Sequence, residues 1–179
     1  MSQLTFLNTT PYIAQFVVAR GQQIIARPPG LEPQARLTMA ANDRFEVTAS
    51  TLIDGDTYTS APATITGEAS FLAQVKQTGP QGTYDFDMEV GASTVADQLQ
   101  FVKTTLGPVT FSISQYDTLL QSVVVERSFD TQTLTIGDTY SFYAVIDGVT
   151  TATATTTNPN AQVTAEMDAA TGFFTLAIV

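Results

Sequence analysis

The chain has 179 residues, 44% of them hydrophobic, and a formal net charge of −10 from 7 basic and 17 acidic side chains. It contains no cysteine, histidine or tryptophan, which excludes disulfides, thiolate metal sites and histidine-dependent catalytic triads. An acidic surface repels phosphate backbones, so we expect no nucleic-acid partner. We also expect no cofactor and no enzymatic activity, because the usual acid–base and nucleophilic groups are missing.

The first residues, Met1 to Phe6, show no basic stretch followed by an apolar core, so the sequence predicts no signal peptide. No uninterrupted apolar stretch reaches transmembrane length, so no membrane span is expected. We therefore expect synthesis in the cytoplasm, with leaderless export or association with a particle as the ways in which the protein could act elsewhere.

Strand-forming residues dominate the chain, and turn signals recur about every ten residues, which is typical of an all-β protein. No segment keeps a 3.6-residue period long enough to predict a helix. A linker is expected at residues 91–98. The predicted strands, in chain order, are residues 3–8, 12–19, 22–27, 35–39, 44–52, 57–65, 69–76 and 83–90, then 98–103, 108–114, 119–127, 132–136, 139–146, 149–157, 161–168 and 172–179.

Turn residues separate these strands. Asp54-Gly55 and Asp147-Gly148 each stand between two strand-like runs, which predicts hairpins with type I′ turns, because Asp and Gly tolerate the positive φ that these turns require. A further tight connection is expected over Thr78–Gly82.

The two halves of the chain carry similar marks in the same order, which indicates an internal duplication. We therefore expect an all-β fold of two tandem, internally duplicated antiparallel β-sandwich units packed together, residues 1–90 and residues 99–179. The matching marks include Leu4, Phe6, Thr9 and Thr10 with Leu99, Phe101, Thr104 and Thr105, Leu37 with Leu134, and Ile53-Asp54-Gly55 with Ile146-Asp147-Gly148.

Asp85, Asp87 and Glu89 alternate with apolar residues on the last predicted strand of the first half. A period of two places these three acids on one face of a strand. Such a row could bind Ca²⁺, which prefers oxygen ligands, but calcium ligands usually come from a curved loop. A solvated face that keeps the strand soluble is therefore the favoured interpretation.

The last predicted strand of the second half, residues 172–179, carries no charged side chain. Phe173, Thr175, Ala177 and Val179 stand where the sequence comparison places residue 83 and the three acids of the first half. An exposed neutral strand can pair with another chain, whereas a strand covered within its own chain is buried. Both alternatives stay open, and the first makes these four residues a candidate assembly interface.

These features predict a non-enzymatic structural protein that associates with itself, as a subunit of a particle, filament or inclusion. Its partner would be further copies of the same chain in a homo-oligomer. The alternative is a binding module, lectin-like or receptor-binding, that recognises a glycan or a cell-surface receptor and could belong to a leaderless toxin. Tyr58 and Tyr116 are then the candidate contact aromatics.

Overall fold

A computed structural model describes residues 2–77 and 84–179, so the predicted connection at Thr78–Gly82 lies outside the described residues. The described residues form strands, turns and loops but no helix, and the all-β prediction is confirmed. The strands are β1 (Gln3–Asn8), β2 (Ala14–Arg20), β3 (Gln23–Ala26), β4 (Arg36–Ala40), β5 (Arg44–Ile53), β6 (Asp56–Thr59), β7 (Ala63–Thr66), β8 (Ala69–Gln77), β9 (Tyr84–Gly91), β10 (Gln98–Lys103), β11 (Val109–Gln115), β12 (Thr118–Val125), β13 (Thr131–Thr135), β14 (Tyr140–Ile146), β15 (Val149–Thr150), β16 (Ala154–Thr156), β17 (Gln162–Met167) and β18 (Phe174–Ile178).

The chain divides into two compact units that differ from the predicted halves. Unit 1 combines Met1–Asn42 with Gly137–Val179, and unit 2 is the continuous segment Asp43–Ile136. The predicted halves, residues 1–90 and 99–179, therefore each contribute strands to both units. Pairing between strands distant in sequence, which local patterns do not encode, produces this arrangement.

Unit 1 contains two sheets. Sheet A has the strand order β18-β17-β1-β4, and sheet B has the order β3-β2-β14-β15 with β16 also paired to β14. β1 and β17 run parallel, with Phe6 opposite Val163. Phe6 packs its ring at 5.0 Å from that of Phe16 and at 6.3 Å from that of Phe142, so the core lies between the two sheets.

Unit 2 has the same strand orders. Sheet C is β12-β11-β5-β6 with β7 also paired to β5, and sheet D is β13-β10-β8-β9. Each strand of unit 1 has a counterpart here when β1–β4 are matched with β10–β13, and β14–β18 with β5–β9. The ring centroids of Phe101 and Phe111 lie 5.1 Å apart, close to the 5.0 Å between their counterparts Phe6 and Phe16.

Two predicted strands, residues 57–65 and 149–157, are each interrupted. Each is replaced by two short strands that pair with the same neighbour, β6 and β7 with β5, and β15 and β16 with β14. At the interruption a buried hydroxyl accepts a hydrogen bond from a strand N–H: Ser60 Oγ from Ala49 at 2.9 Å, and Thr151 Oγ1 from Ala144 at 3.0 Å. The hydroxyl satisfies a donor that the interrupted strand leaves free.

Both predicted Asp-Gly turns have the backbone that a type I′ turn requires. The φ angles are 52° and 90° at Asp54 and Gly55, and 48° and 75° at Asp147 and Gly148. The flanking residues pair directly, Ile53 with Asp56 and Ile146 with Val149. The hairpin prediction is therefore confirmed in both places.

Candidate functional site

The last strand, β18, lies at one edge of sheet A. Among the described residues it pairs with β17 alone, in an antiparallel ladder that runs from Met167 opposite Phe174 to Val163 opposite Ile178. No second strand of the described chain forms a ladder with its other side, although β16 lies close to β18. Such an edge can accept a further strand.

The side chains of β18 divide between the two faces of sheet A. Phe174, Leu176 and Ile178 share the inner face with buried Val163 and Ala165, and are themselves half-buried. The predicted interface residues alternate with them and lie on the outer face. Phe173 and Val179, beyond the two ends of the strand, are 71% and 83% exposed, whereas Thr175 is exposed and Ala177 half-buried.

The counterpart of β18 in unit 2 is β9, which forms an edge of sheet D. Asp85, Asp87 and Glu89 lie on one face of β9, as the sequence predicts. Lys76 of the neighbouring strand places its Nζ 3.0 Å from Asp87 Oδ2 and 2.7 Å from Glu89 Oε1. The ammonium thus neutralises part of this acidic row.

The Lys76 ammonium also changes the titration of its partners. Its hydrogen bonds lower the pKa of Asp87 and of Glu89 below their ordinary values. In return, the same hydrogen bonds raise the pKa of Lys76, with the larger contribution from Glu89 and the smaller from Asp87. Within residues 2–77 and 84–179, no three acidic side chains gather into a group that could hold a metal ion.

The ladders correct several matches of the sequence comparison. Leu134 lies opposite Leu99 as Met39 lies opposite Leu4, so Leu134 matches Met39 rather than Leu37. The last strands are shifted as well. Glu89 lies opposite Leu72, and Ala177 opposite Thr164. Thr164 lies beside Leu7 of β1, and Leu72 lies beside Val102, the corresponding residue of β10. Ala177 therefore occupies the place of Glu89 rather than that of Asp87. The β8–β9 ladder continues for two residue pairs beyond the point where the β17–β18 ladder ends, and this shifts the match by two residues.

The turn between β17 and β18 is held by Asp168. Its Oδ1 accepts hydrogen bonds from the backbone N–H groups of Ala170 and Thr171, both at 2.8 Å. These hydrogen bonds lower the pKa of Asp168, and the bond from Thr171 contributes most. Gly172 closes the turn with a φ of 71°, and its N–H donates to the Asp168 carbonyl at 2.7 Å. This turn places β18 beside β17.

A cleft of about 320 Å³ opens on the outer face of sheet B in unit 1. Its floor includes Gln15 and Val17 of β2 and Tyr143 and Val145 of β14, and the segment 27–30 forms a wall. The positions of sheet C that correspond to the floor hold small hydroxyl residues, Thr110, Ser112, Thr48 and Ser50. The side chains at the floor of the cleft thus differ from those at the same places in unit 2.

The two candidate contact aromatics lie apart in unit 2. Tyr58 is half-buried within β6. Tyr116 is 81% exposed at the tip of the β11–β12 hairpin, where its φ of 49° is unusual for a bulky residue. The structure does not bring these two side chains into one site, since they lie toward opposite ends of β5: Tyr58 is opposite Thr51, whereas Tyr116 lies beyond the pair of Ser114 with Glu46.

Sequence reasoning did not single out Lys103, whose side chain is fully buried. Its Nζ donates to the carbonyls of Thr105 and Gly107 at 3.0 and 2.7 Å. In unit 1 its counterpart Asn8 is also buried, and Asn8 Nδ2 donates to the carbonyl of Tyr12 at 2.7 Å. The recurrence of Leu-x-Phe-x-Asn as Leu-x-Phe-x-Lys was the available signal, and both residues organise the loop that follows their strand.

The described residues contain no helix that could cross a membrane. Comparisons with protein-family models, with curated proteins and with solved structures gave no match.

Proposed function

We propose that this chain is a non-enzymatic structural protein that associates with copies of itself, as a subunit of a particle, filament or inclusion. The observation that carries the proposal is the uncharged edge strand β18. The occupant of this edge is the β18 strand of a second copy, paired antiparallel across a two-fold axis. Such a contact is self-complementary, because each copy offers the same edge, and it closes as a dimer that would be the building block of the larger assembly.

The two edges β9 and β18 support this proposal by their contrast. Charged side chains on an edge strand discourage pairing with another chain. β9 carries the three acids, and Lys76 adds a further charge beside it, whereas β18 carries none. The protein thus protects one of two corresponding edges and leaves the other open to backbone pairing.

The test transfers the charges of β9 to β18. In the variant Thr175→Asp/Ala177→Glu, the places that match Asp87 and Glu89 receive the same charges. Light scattering over a dilution series should show assemblies for the parent protein and monomers for the variant. The matched control is Thr38→Asp/Ala40→Glu, which adds the same charges to the exposed face of β4 at the opposite edge of sheet A.

The control should assemble as the parent does. A parent protein that is monomeric at every concentration contradicts the proposal. So does a control that dissociates as fully as the β18 variant, because net charge rather than the β18 edge would then govern association.

The cleft in unit 1 favours a second candidate function, a binding module for a glycan or cell-surface receptor. Tyr143, Gln15 and Arg27 are among the residues that line it, and side chains of these types bind sugar rings, hydroxyls and carboxylates. Binding of a strictly monomeric parent protein to a glycan array, lost in Tyr143→Ala, would replace the structural proposal with this one. Retained binding in Tyr143→Ala would exclude the cleft as the site.

A further inference from the structure

Unit 1 is assembled from two separate segments of the chain, whereas unit 2 is continuous. The chain leaves unit 1 after β4, through residues 41–43, and returns to it before β14, through residues 136–139. The two parts of unit 1, here called the β1–β4 segment and the β14–β18 segment, are therefore joined covalently only through unit 2.

The contacts between these two segments are extensive. β2 and β14 pair over seven residues, from Ala14 opposite Ile146 to Arg20 opposite Tyr140. β1 and β17 form the parallel ladder at the centre of sheet A, and the Thr9 N–H extends it by donating to the Ala165 carbonyl at 2.9 Å. Neither ladder can form within one segment, so unit 1 exists only where the two segments meet.

The two units also have corresponding contacts near residues 41–43 and 136–139, where the chain passes from one unit to the other. The Ala41 N–H donates to the Ser2 carbonyl at 3.0 Å in unit 1, and the Ile136 N–H donates to the Asp97 carbonyl at 2.7 Å in unit 2. In unit 2 the short connection 92–97 joins β9 to β10. Its counterpart in unit 1 would have to join β18 to β1, and no such connection links these strands in the chain. The same set of strands therefore forms a unit with and without this covalent link.

We propose that unit 1 is an exchange interface between two copies of this chain. The β1–β4 segment of each copy packs on the β14–β18 segment of the other, which gives a reciprocal dimer with unit 2 intact in each chain. The strand ladders of unit 1 are kept, and the conformational change is confined to residues 41–43 and 136–139. Exchange of identical elements is a low-cost route to dimers for this reason. The conformational change puts at stake the contacts of Arg20 with Gly137 and Asp138, and of Gly21 with Thr139.

Concentration decides between the closed monomer and this dimer. In the monomer the folded unit 2 tethers the two segments and gives them a high effective concentration for one another. Exchange should therefore be favoured when the protein is unfolded and refolded at high concentration. This mode of association uses buried ladders of unit 1, so it is independent of the β18 edge and does not rest on the proposed function.

The absence of native cysteine makes a direct test possible. Gln15→Cys/Val145→Cys places two thiols at facing positions across the two segments. The matched control, Glu166→Cys/Thr175→Cys, places two thiols at facing positions within the β14–β18 segment. Both variants are refolded under reducing conditions at increasing concentration, separated by size, oxidised and run on a non-reducing denaturing gel.

In an exchanged dimer the first pair gives a covalent dimer, because its two thiols come from different chains, while the control pair gives monomers. By mass action, the dimer-to-monomer ratio should rise about tenfold for a tenfold rise in free monomer. Covalent monomers from the dimer fraction of the first pair would overturn the proposal, as would the absence of dimers at every refolding concentration.

Repeating the test with Thr175→Asp/Ala177→Glu added to the first pair separates the two modes of association. Exchange should persist in that variant even if association through β18 is lost. Loss of the covalent dimer together with the edge contact would assign all association to β18 and overturn the exchange proposal.

Discussion

Units 1 and 2 have similar interiors, but their edge strands differ. The phenylalanine pairs have nearly the same spacing, the buried hydroxyls of Ser60 and Thr151 accept equivalent hydrogen bonds, and both Asp-Gly turns have positive φ at the two central residues. The edge strands β9 and β18, by contrast, carry different charges. The contrast separates what the fold needs from what can be varied for function.

Two corresponding loops, one in each unit, also keep the same backbone while their side chains differ. The N–H groups of Gln34 and Phe129 donate to the carbonyls of Asn8 and Lys103, at 2.7 and 2.9 Å, and both donors have a φ of 64°. The backbone geometry is thus the same although the side chains have different chemistry. Phe129 is 77% exposed with a positive φ, which indicates that the loop geometry, and not the preference of that residue, determines its conformation.

The largest expected effect tests the shared interior. Phe6→Ala and Phe101→Ala should each lower the free energy of unfolding by about 4 kcal/mol, because each removes a fully buried ring and leaves a cavity. Guanidinium denaturation measures both. Leu106→Ala is the control, since Leu106 is 97% exposed and its truncation should change stability by less than about 0.5 kcal/mol. Losses for the two phenylalanines that differ by more than about 2 kcal/mol would break the equivalence of the units.

A smaller effect tests the interrupted strands. Ser60→Ala and Thr151→Val each remove the acceptor of a buried backbone N–H, so each should cost about 1–3 kcal/mol. Thr153→Val, at an exposed position between β15 and β16, should be near neutral. Thermal and urea unfolding give the comparison. A neutral result at residue 60 or 151 would show that the hydroxyl is not needed to bridge the interruption.

The edges can also be compared in the opposite direction. Lys76→Gln/Asp85→Asn/Asp87→Thr/Glu89→Ala removes the charges that protect β9, and we introduce it into a chain whose β18 already carries Thr175→Asp/Ala177→Glu. Neutral β9 should then support association, so light scattering should show a mass that increases with concentration. A protein that stays monomeric would show that charge is not what distinguishes the two edges.

The smallest expected effect is a pH dependence of stability. The folded pKa values of Asp87 and Glu89 are lowered by Lys76 from the ordinary values of 3.8 and 4.5. Their contribution is therefore present above those ordinary values and is lost as the pH falls through the lowered folded values. Because the groups are exposed, solvent screens the effect. Melting temperatures between pH 7 and pH 2 should fall more for the parent than for Lys76→Met, and parallel curves would show that this ion pair contributes nothing.

Much of the local structure could be predicted from the chain. Strands such as residues 3–8 and 98–103 appear with the predicted bounds, because alternation of apolar and polar residues reports which side chains face the core. The interruptions near residues 60 and 151 were missed, since a buried hydroxyl that replaces a strand hydrogen bond leaves no periodic signal. The acids of β9 were placed on one face, but their neutralisation by Lys76 depends on the β8–β9 register.

The amino-acid sequence by itself determined the all-β class, the Asp-Gly turns and the contrast between a charged and an uncharged last strand, because these follow from local chemistry. The tertiary structure alone decided which strands meet. β1 pairs with β17 rather than with β8, although β8 occupies the matching place beside β10. Where two units have similar strands, either partner offers a similar ladder, so local pattern cannot choose between them. Pairing across the whole chain makes that choice, and it creates both the open β18 edge and the discontinuous unit 1.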